Sequence, residues 1–360
     1  MSIDLKRFVD INIKAHVPTS VVGTRDTVVV FTAEGSSSTP VDISSYSEAE
    51  TAIASMETTL AYLKVYFDNG GIKARVIGST ALSNLGTAIA ALDDKYICVA
   101  YADVATNEAT TYSGLKGIAS TRASTSTIYG INEKIIVART SDNTDDASIK
   151  DFAVKYSTVL GAEMTIAAYL SNVNVYKTNS IYDYMFTQET ESVKETVTDT
   201  NYGLCITNNM NVAVELANAV RNCGGNCKDG ADLVNQYCLI VLHQTLTEQL
   251  LLLLSQKIKN TTGLSKIYTV ISQELEKYLT SGYLTTDKIW TDNDLTITYN
   301  STNYTIIEKG TALDNGYLIS ILPYESLTDA DKAAHKTPPI YVIVASQYGI
   351  RAITINGEVI

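Results

Sequence analysis

The sequence predicts an α/β protein with a mainly parallel core sheet, followed by an α+β region and flanked by an extended strand at each end. Three observations support this fold class. Short apolar strands alternate with helical segments through residues 21–175, as is typical of βαβ units. Long helical segments and several strands occupy residues 176–348. Strand-like arms lie at residues 1–20 and 349–360, the first of them with clear period-two alternation.

The two terminal arms carry the candidate interaction residues. In the first arm, "RFVDINIKAHV" places apolar and polar residues on opposite sides of a strand. The second arm would span roughly 40 Å if extended at about 3.3 Å per residue. A strand needs partners for its backbone groups, and these belong either to the same subunit or to a neighbour's sheet edge. The candidate contact residues are Phe8, Val9, Ile11, Ile13, Ile350, Ala352, Ile353 and Ile355.

The first predicted α/β unit begins with the apolar strand "TVVVFTA" at residues 27–33. A helix follows from Ser47 to Phe67, because its apolar residues recur in steps of three and four. Gly70 is placed to end this helix in the left-handed conformation, and "IKARVIG" is the next strand. The alternation then continues. The later predicted helices are 82–92, 107–123 and 146–160, and the later predicted strands are 95–102, 133–140 and 162–170.

The region after residue 176 contains two long predicted helices, at 238–258 and 263–284. Polar residues interrupt the first of them, which favours a buried helix over a membrane span of about 20 apolar residues. Residues 209–220 are compatible with a helix or with a short strand. A hairpin is predicted around Asn300 and Ser301. Further strands are predicted at 316–324 and, as a pair, within 340–360, separated by a polar loop at 327–339.

Composition limits the possible functions. The net charge of −12 and the lack of a basic stripe argue against nucleic-acid binding. The 23 tyrosines are compatible with protein–protein surfaces, because the ring is apolar and the hydroxyl can find a partner. The five cysteines include "CGGNC", but no second Cys/His pair has matching spacing, so buried free thiols are expected rather than a zinc site. The first residues show no secretory signal.

No segment carries a catalytic signature. The loop after the first strand, "AEGSSSTP", has a single glycine where dinucleotide binding needs G-x-G-x-x-G, and no P-loop or G-x-S-x-G is present. His243 lies on an apolar helix face, where a satisfied core histidine is the common case. The aspartate pairs at 93–94 and 145–146 stand at loops or helix starts, where capping explains them. We therefore expect no enzyme activity, no catalytic residue, no metal and no cofactor.

Several segments resemble the contractile tail sheath proteins of bacteriophages and related contractile injection systems. They are the N-terminal "IDLKRFVDINI", the helix–turn–strand "VYFDNGGIKARVIG", the helical "LLLLLSQKIKNTTGLSKIYTVISQELEKYLTSGYL" and the closing "YGIRAITINGEVI". The resemblance is spread over most of the chain. Longer sheath proteins carry extra outer domains, for which this compact chain has little room.

The resemblance implies a structural, non-enzymatic sheath subunit with a C-terminal α+β sheath domain. Such subunits polymerise with copies of themselves as rings in a helical array around an inner tail tube. Contraction drives the tube through the target envelope, as in genome ejection. The implied partners are the tube, baseplate and tail terminator proteins, without nucleic acid or membrane insertion. The implied location is the virion tail, assembled in the host bacterial cytoplasm.

The resemblance also assigns the arms to neighbouring subunits, whose sheets they complete. The implied arm strands are residues 8–15 and 350–355, and the receiving sheet includes "YVIVAS" with Tyr341 and Ile343. The alternative is another self-assembling virion or surface-array protein of the tube, capsid or S-layer type. A tube protein would be shorter and almost entirely β.

Overall fold

A six-stranded sheet forms the core of the computed structural model, which describes residues 25–93, 95–103, 107–125, 134–255, 260–286 and 288–347. The strands in chain order are β1 (Thr27–Thr32), β2 (Val41–Ile43), β3 (Lys73–Ile77), β4 (Cys98–Ala102), β5 (Ile135–Thr140) and β6 (Phe152–Tyr156). They lie in the order β2-β3-β1-β4-β5-β6. All neighbours are parallel except β2, which is antiparallel to β3 at one edge. The predicted mainly parallel sheet is confirmed.

Helices cover both faces of this sheet. The helices of this region are α1 (Tyr46–Ala52), α2 (Glu57–Asp68), α3 (Leu85–Ala90), α4 (Glu108–Thr125) and α5 (Met164–Asn172). Val28 and Val30 of β1 face a core shared with α2 and α5. Val29 and Phe31 face a second core shared with α3 and α4. Because both faces are buried, the strand is a continuous apolar run instead of an alternating one.

The predicted helix from Ser47 to Phe67 is two helices. The α1 helix ends at Ala52, and α2 starts at Glu57. The start of α2 is capped by a distant side chain: the Glu34 carboxylate accepts hydrogen bonds from the backbone N–H groups of Thr58 and Thr59 at 3.0 and 2.8 Å. This cap lies after β1, so the apolar periodicity of the helix could not reveal the break.

Two predicted elements are wrong in type. Residues 146–160 were expected to be helical, but residues 152–156 form strand β6. Residues 162–170 were expected to be a strand, but α5 occupies Met164–Asn172. Every α5 residue from Met164 to Ser171 is buried, so the helix has no polar face. A short apolar run without periodicity does not distinguish a buried helix from a buried strand.

The β6 edge of the sheet is closed by the segment that follows. The segment contains α6 (Asp199–Thr207) and a hairpin of β7 (Val212–Leu216) and β8 (Ala219–Cys223). The Tyr156 N–H donates to the Asn211 carbonyl at 2.8 Å, and the Asn211 N–H donates to the Val154 carbonyl at 2.9 Å. Of the two alternatives for residues 209–220, the strand is therefore the one observed.

The C-terminal half contains two long helices and small antiparallel sheets. Its elements are α7 (Leu233–Ser255), α8 (Asn260–Thr280), β9 (Lys288–Ile289), β10 (Leu295–Tyr299), β11 (Thr302–Ile307), β12 (Ala312–Leu313), β13 (Tyr317–Ile321), α9 (Asp329–Ala333) and β14 (Ile340–Val344). The strands pair as β10 with β11, β12 with β9, and β13 with β14. Asn300 and Ser301 adopt φ of 47° and 63°, which confirms the predicted hairpin turn. The predicted polar loop at 327–339 contains the short helix α9.

The α7 helix is long and apolar enough, by length and composition alone, to cross a membrane over Leu233–Leu254. In this fold it packs beside α8 and contributes Val234, Tyr237 and Ile240 to the core shared with the six-stranded sheet. That environment is the one expected for the central helix of a folded core. The predicted helix is confirmed, and it is mostly buried up to Thr245 and mostly half-buried after it.

Candidate functional site

The β13–β14 sheet contains the described part of the predicted interaction site. Tyr341 lies opposite Ser320, and Ile343 lies opposite Leu318, in a regular antiparallel register. The other predicted contact residues fall outside the described residues: Phe8, Val9, Ile11, Ile13, Ile350, Ala352, Ile353 and Ile355. The structure therefore describes the strand that contains Tyr341 and Ile343, and the role of both the sheet and the arms in subunit contacts stays a prediction.

One face of this sheet packs against the helices. Ile319, Val342 and Val344 contact the large core that also contains α7 and α8. Tyr317 shares this face; its Oη lies 2.7 Å from Ser272 Oγ and donates to Glu276 Oε1 of α8 at 2.9 Å. Burial raises the pKa of Tyr317, so the phenol stays protonated as a hydrogen-bond donor. These contacts fix the sheet on α8.

The opposite face packs on the small strands. Ile343 and Leu318 lie against a cluster that includes Ile307, Leu313 and Trp290. The sheet is thus apolar on both faces. This explains why "IYVIV" is continuously apolar, where a sheet with one wet face would alternate.

The edges of this sheet remain partly open within the described residues. All five residues of β14 are only half-buried, although both faces are covered. The outer edge of β14 is paired at one end, where a bridge joins Leu284 to Ser346 and the Gln347 N–H donates to the Tyr283 carbonyl at 2.7 Å. An isolated two-stranded sheet is marginal in water, and an open apolar edge is a template for another strand.

The register shows which groups point to the outer edge of β14. The Ala345 N–H donates to the Gly316 carbonyl at 2.8 Å, and the Leu322 N–H donates to the Pro339 carbonyl at 3.1 Å. Antiparallel ladders alternate, so Tyr341 and Ile343 exchange backbone hydrogen bonds with β13. By the same alternation, the backbone N–H and C=O of Val342 point away from β13.

The described residues show no arrangement typical of a metal or redox site. No group of three His, Cys, Asp or Glu side chains in this part of the chain is placed to hold a metal ion. The five cysteines are free and buried, as predicted. Burial raises the pKa of Cys98, and it raises the pKa of Cys205 to about 11, so these thiols are poor nucleophiles at neutral pH.

A groove of about 790 Å³ runs between α4 and residues 140–149. Its charged groups pair with one another: Lys116 Nζ lies 2.6 Å from Asp145 Oδ1, and the Tyr112 hydroxyl donates to the same carboxylate. Burial would raise the pKa of Asp145, but these hydrogen bonds lower it. The carboxylate is held as a structural ion-pair partner.

Comparisons with known proteins point to one structural class. The chain matches the sheath in an extracellular contractile injection system, the PVC sheath complex in its contracted state, with a TM-score of 0.65 and 13% identity over 93% of this chain and 92% of that chain. The contracted baseplate of the anti-feeding prophage also matches with a TM-score of 0.65, at 14% identity over 99% and 98%. The chain has the fold of contractile sheath proteins.

Two further findings concern the same fold. A sheath tail protein from Listeria innocua has this sheath fold with a TM-score of 0.55, at 9% identity over 78% of this chain and 90% of that chain. Residues 234–359 match the family model described as E217 tail sheath protein gp31-like, C-terminal domain. That match includes α7, α8 and the β13–β14 sheet. The comparison with curated protein sequences gave no match.

The sequence analysis named Tyr341 and Ile343 as expected contact residues but did not name among them any residue of strand β13, with which they pair. A signal was present: "YLISI" is apolar except for Ser320, which resembles the apolar run "IYVIV" of β14. The pairing of the two strands is not local, because the loop with α9 separates them. Their register could not be read from the apolar pattern.

Proposed function

We propose that this chain is the structural, non-enzymatic subunit of a contractile tail sheath. The observation that carries the proposal is the match over almost the whole length of the chain to chains of two contractile injection systems. The family model of a tail sheath C-terminal domain, matched by residues 234–359, supports it independently. In this role the subunit polymerises as rings in a helical array around an inner tail tube, between a baseplate and a tail terminator.

The terminal arms complete sheets in neighbouring subunits. In this proposal, residues 8–15 and 350–355 are the arm strands, and β13–β14 receives them. The open edges and doubly apolar faces of β13–β14 support this role. Each added backbone hydrogen bond contributes about 0.5–1.5 kcal/mol, so one short strand is modest alone and substantial when repeated along a lattice.

Contraction requires two lattices of the same subunit, with the extended lattice metastable. The free energy for driving the tube through an envelope then comes from subunit contacts that form on contraction. Arms that stay paired keep the rings connected while the folded cores move. The particle is assembled in the bacterial cytoplasm in this proposal.

Electron microscopy of the purified protein tests the proposal. We expect hollow tubes or stacked rings with helical order. Deletion of residues 349–360 should abolish these assemblies and leave a chain with unchanged far-UV circular dichroism. Normal tubes from the truncated chain would contradict the arm model. A folded monomer at all concentrations of the full-length chain would contradict self-assembly.

A substitution at the outer edge of β14 tests the receiving sheet. Val342→Pro removes one outward N–H and leaves the hydrogen-bonded residues 341 and 343 in place. Val342→Ala is the matched control, because it loses side-chain packing and keeps the N–H. We expect negative-stain images to show tubes for Val342→Ala and none for Val342→Pro. Equal assembly of the two variants would exclude this edge as the receiving one.

A further inference from the structure

The α7 helix lies between the two points at which the terminal segments join the described fold. Arg25 directly follows residues 1–24, and Gln347 directly precedes residues 348–360. Arg25 is named the N-terminal root below, and residues 345–347 are named the C-terminal root. The N-terminal root bonds directly to α7 side chains that are more than two hundred residues away in the sequence. The C-terminal root is connected to α7 through Tyr283.

Three side chains on one face of α7 hold the N-terminal root. Tyr237 Oη donates to the Arg25 carbonyl at 3.1 Å. Arg25 Nε donates to Gln244 Oε1 at 2.8 Å, and Arg25 Nη2 donates to Glu248 Oε1 at 3.2 Å. The Arg25 side chain is 5% exposed, so water competes little for these bonds. At about 100° per residue, positions 237, 244 and 248 lie on the same side of the helix.

Tyr283 connects the C-terminal root to the opposite face of α7. The Tyr283 carbonyl accepts the Gln347 N–H at 2.7 Å, and the Tyr283 hydroxyl donates to Asn235 Oδ1 at 2.6 Å. The Tyr283 ring is buried. Asn235 is two positions from Tyr237, which places the two attachment points about 200° apart around the helix. The first turns of α7 therefore stand directly between the two roots.

The start of α7 is itself fixed. The Asn235 N–H donates to Asp232 Oδ1 at 2.8 Å, and the Leu233 N–H donates to the Gly225 carbonyl at 2.9 Å. Further along, Thr245 Oγ1 lies 3.2 Å from Tyr278 Oη of α8. A capped helix of 23 residues that packs along its length behaves as one stiff element. A displacement of the residues bound to one face of α7 is then transmitted to the residues bound to its opposite face.

We infer that α7 couples the two roots, so that loosening one of them loosens the other. In a sheath, a pull on one arm would thus be passed through α7 to the other arm; this use rests on the proposed function. The coupling itself is a property of the single subunit. Because coupling free energies are reciprocal, it must act in both directions.

Hydrogen exchange on the full-length, unassembled protein tests the coupling. Tyr283→Phe removes only the hydroxyl that binds Asn235. We expect exchange to accelerate about two- to tenfold in peptides covering the C-terminal root, as for the loss of one hydrogen bond. We expect a smaller acceleration in peptides covering residues 25–30, which Tyr283→Phe does not touch directly.

The reverse experiment uses Gln244→Leu, which weakens the N-terminal root and should accelerate exchange at residues 345–347. Tyr317→Phe is the matched control, since its buried hydroxyl bonds to α8 and not to α7. It should affect β13 and leave Arg25 unchanged. The inference would be overturned if Tyr283→Phe accelerated exchange only at the C-terminal root and Gln244→Leu accelerated it only at the N-terminal root. Tube formation is scored separately, so failure to assemble would count against the proposed function alone.

Discussion

Replacing Lys155 with methionine is expected to lower the free energy of unfolding by about 3–5 kcal/mol, because it leaves the Glu189 carboxylate buried without its cation. The side chains of Lys155 and Glu189 are 0% and 3% exposed. Lys155 Nζ lies 2.7 Å from each Glu189 oxygen and 3.0 Å from Asn222 Oδ1. Burial lowers the pKa of Lys155, and the Glu189 carboxylate opposes that shift. Chemical unfolding followed by far-UV circular dichroism measures the loss.

Two controls separate the charge from the packing. Lys155→Met combined with Glu189→Leu removes both charges and should recover most of the lost stability. Lys194→Met breaks an exposed pair with Glu215 and should change the free energy of unfolding far less than Lys155→Met does, because water screens exposed charges. If Lys155→Met alone cost less than about 1 kcal/mol, the buried pair would not be a stabilising feature of this fold.

The position of this pair explains the expected size of the effect. Lys155 belongs to β6, Asn222 belongs to β8, and Glu189 lies in the segment between α5 and α6. The Tyr184 hydroxyl also donates to Glu189 Oε1, at 2.7 Å. Loss of the lysine therefore affects the edge at which the six-stranded sheet meets the β7–β8 hairpin.

Most of the core sheet could be predicted from the sequence, because its strands are short apolar runs bounded by turns. The runs at β1, β3, β4 and β5 were identified in this way. A helix was predicted at residues 238–258, within which α7 lies in large part, and the polar residues in this stretch favoured a buried helix over a membrane span. The sequence predicted a helix where strand β6 lies and a strand where helix α5 lies. Both elements are almost entirely buried, so neither has a polar face from which a helix or strand period could be recognised.

The polar contacts of the interior could not be predicted. Lys155 finds partners 34 and 67 residues away, and Arg25 finds partners 219 and 223 residues away. No local pattern specifies such pairs, since they depend on how whole elements pack. The candidate site was predictable in part, less fully than the core strands and more fully than the interior polar contacts. The apolar run with Tyr341 and Ile343 indicated a strand, but its pairing with β13 could be seen only in the fold.

Glu163→Gln is expected to remove a pH dependence of stability between about pH 4.5 and pH 7. Burial raises the pKa of Glu163 from 4.5 to about 7, although Arg139 acts in the opposite direction. Arg139 Nε lies 3.8 Å from Glu163 Oε2, too far for a hydrogen bond. Arg139 Nη1 instead donates to Glu108 Oε2 at 3.1 Å. One guanidinium thus faces two carboxylates, and Tyr62 of α2 also faces Glu163.

The sign of the effect follows from proton binding. Between pH 4.5 and pH 7 the folded state keeps a proton on Glu163 that the unfolded chain has lost. The stability that this proton provides is complete below pH 4.5 and is lost as the pH rises through 7. A shift from 4.5 to about 7 corresponds to about 3 kcal/mol at 1.36 kcal/mol per pH unit. Glutamine cannot ionise, so Glu163→Gln should match the parent protein at pH 4.5 and exceed it at pH 8.

Urea unfolding of both proteins at half-unit steps from pH 4.5 to pH 8 measures this difference directly. Subtracting the two profiles cancels the titrating groups that do not interact with residue 163, since only that residue differs between the proteins. A difference that grows by about 3 kcal/mol over the series supports a protonated Glu163 at neutral pH. Parallel profiles would show that Glu163 is ionised in the folded state, with Arg139 as its effective partner. Because Glu163 stands at the start of α5 and Arg139 on β5, either result identifies the charge state that holds this helix against the sheet.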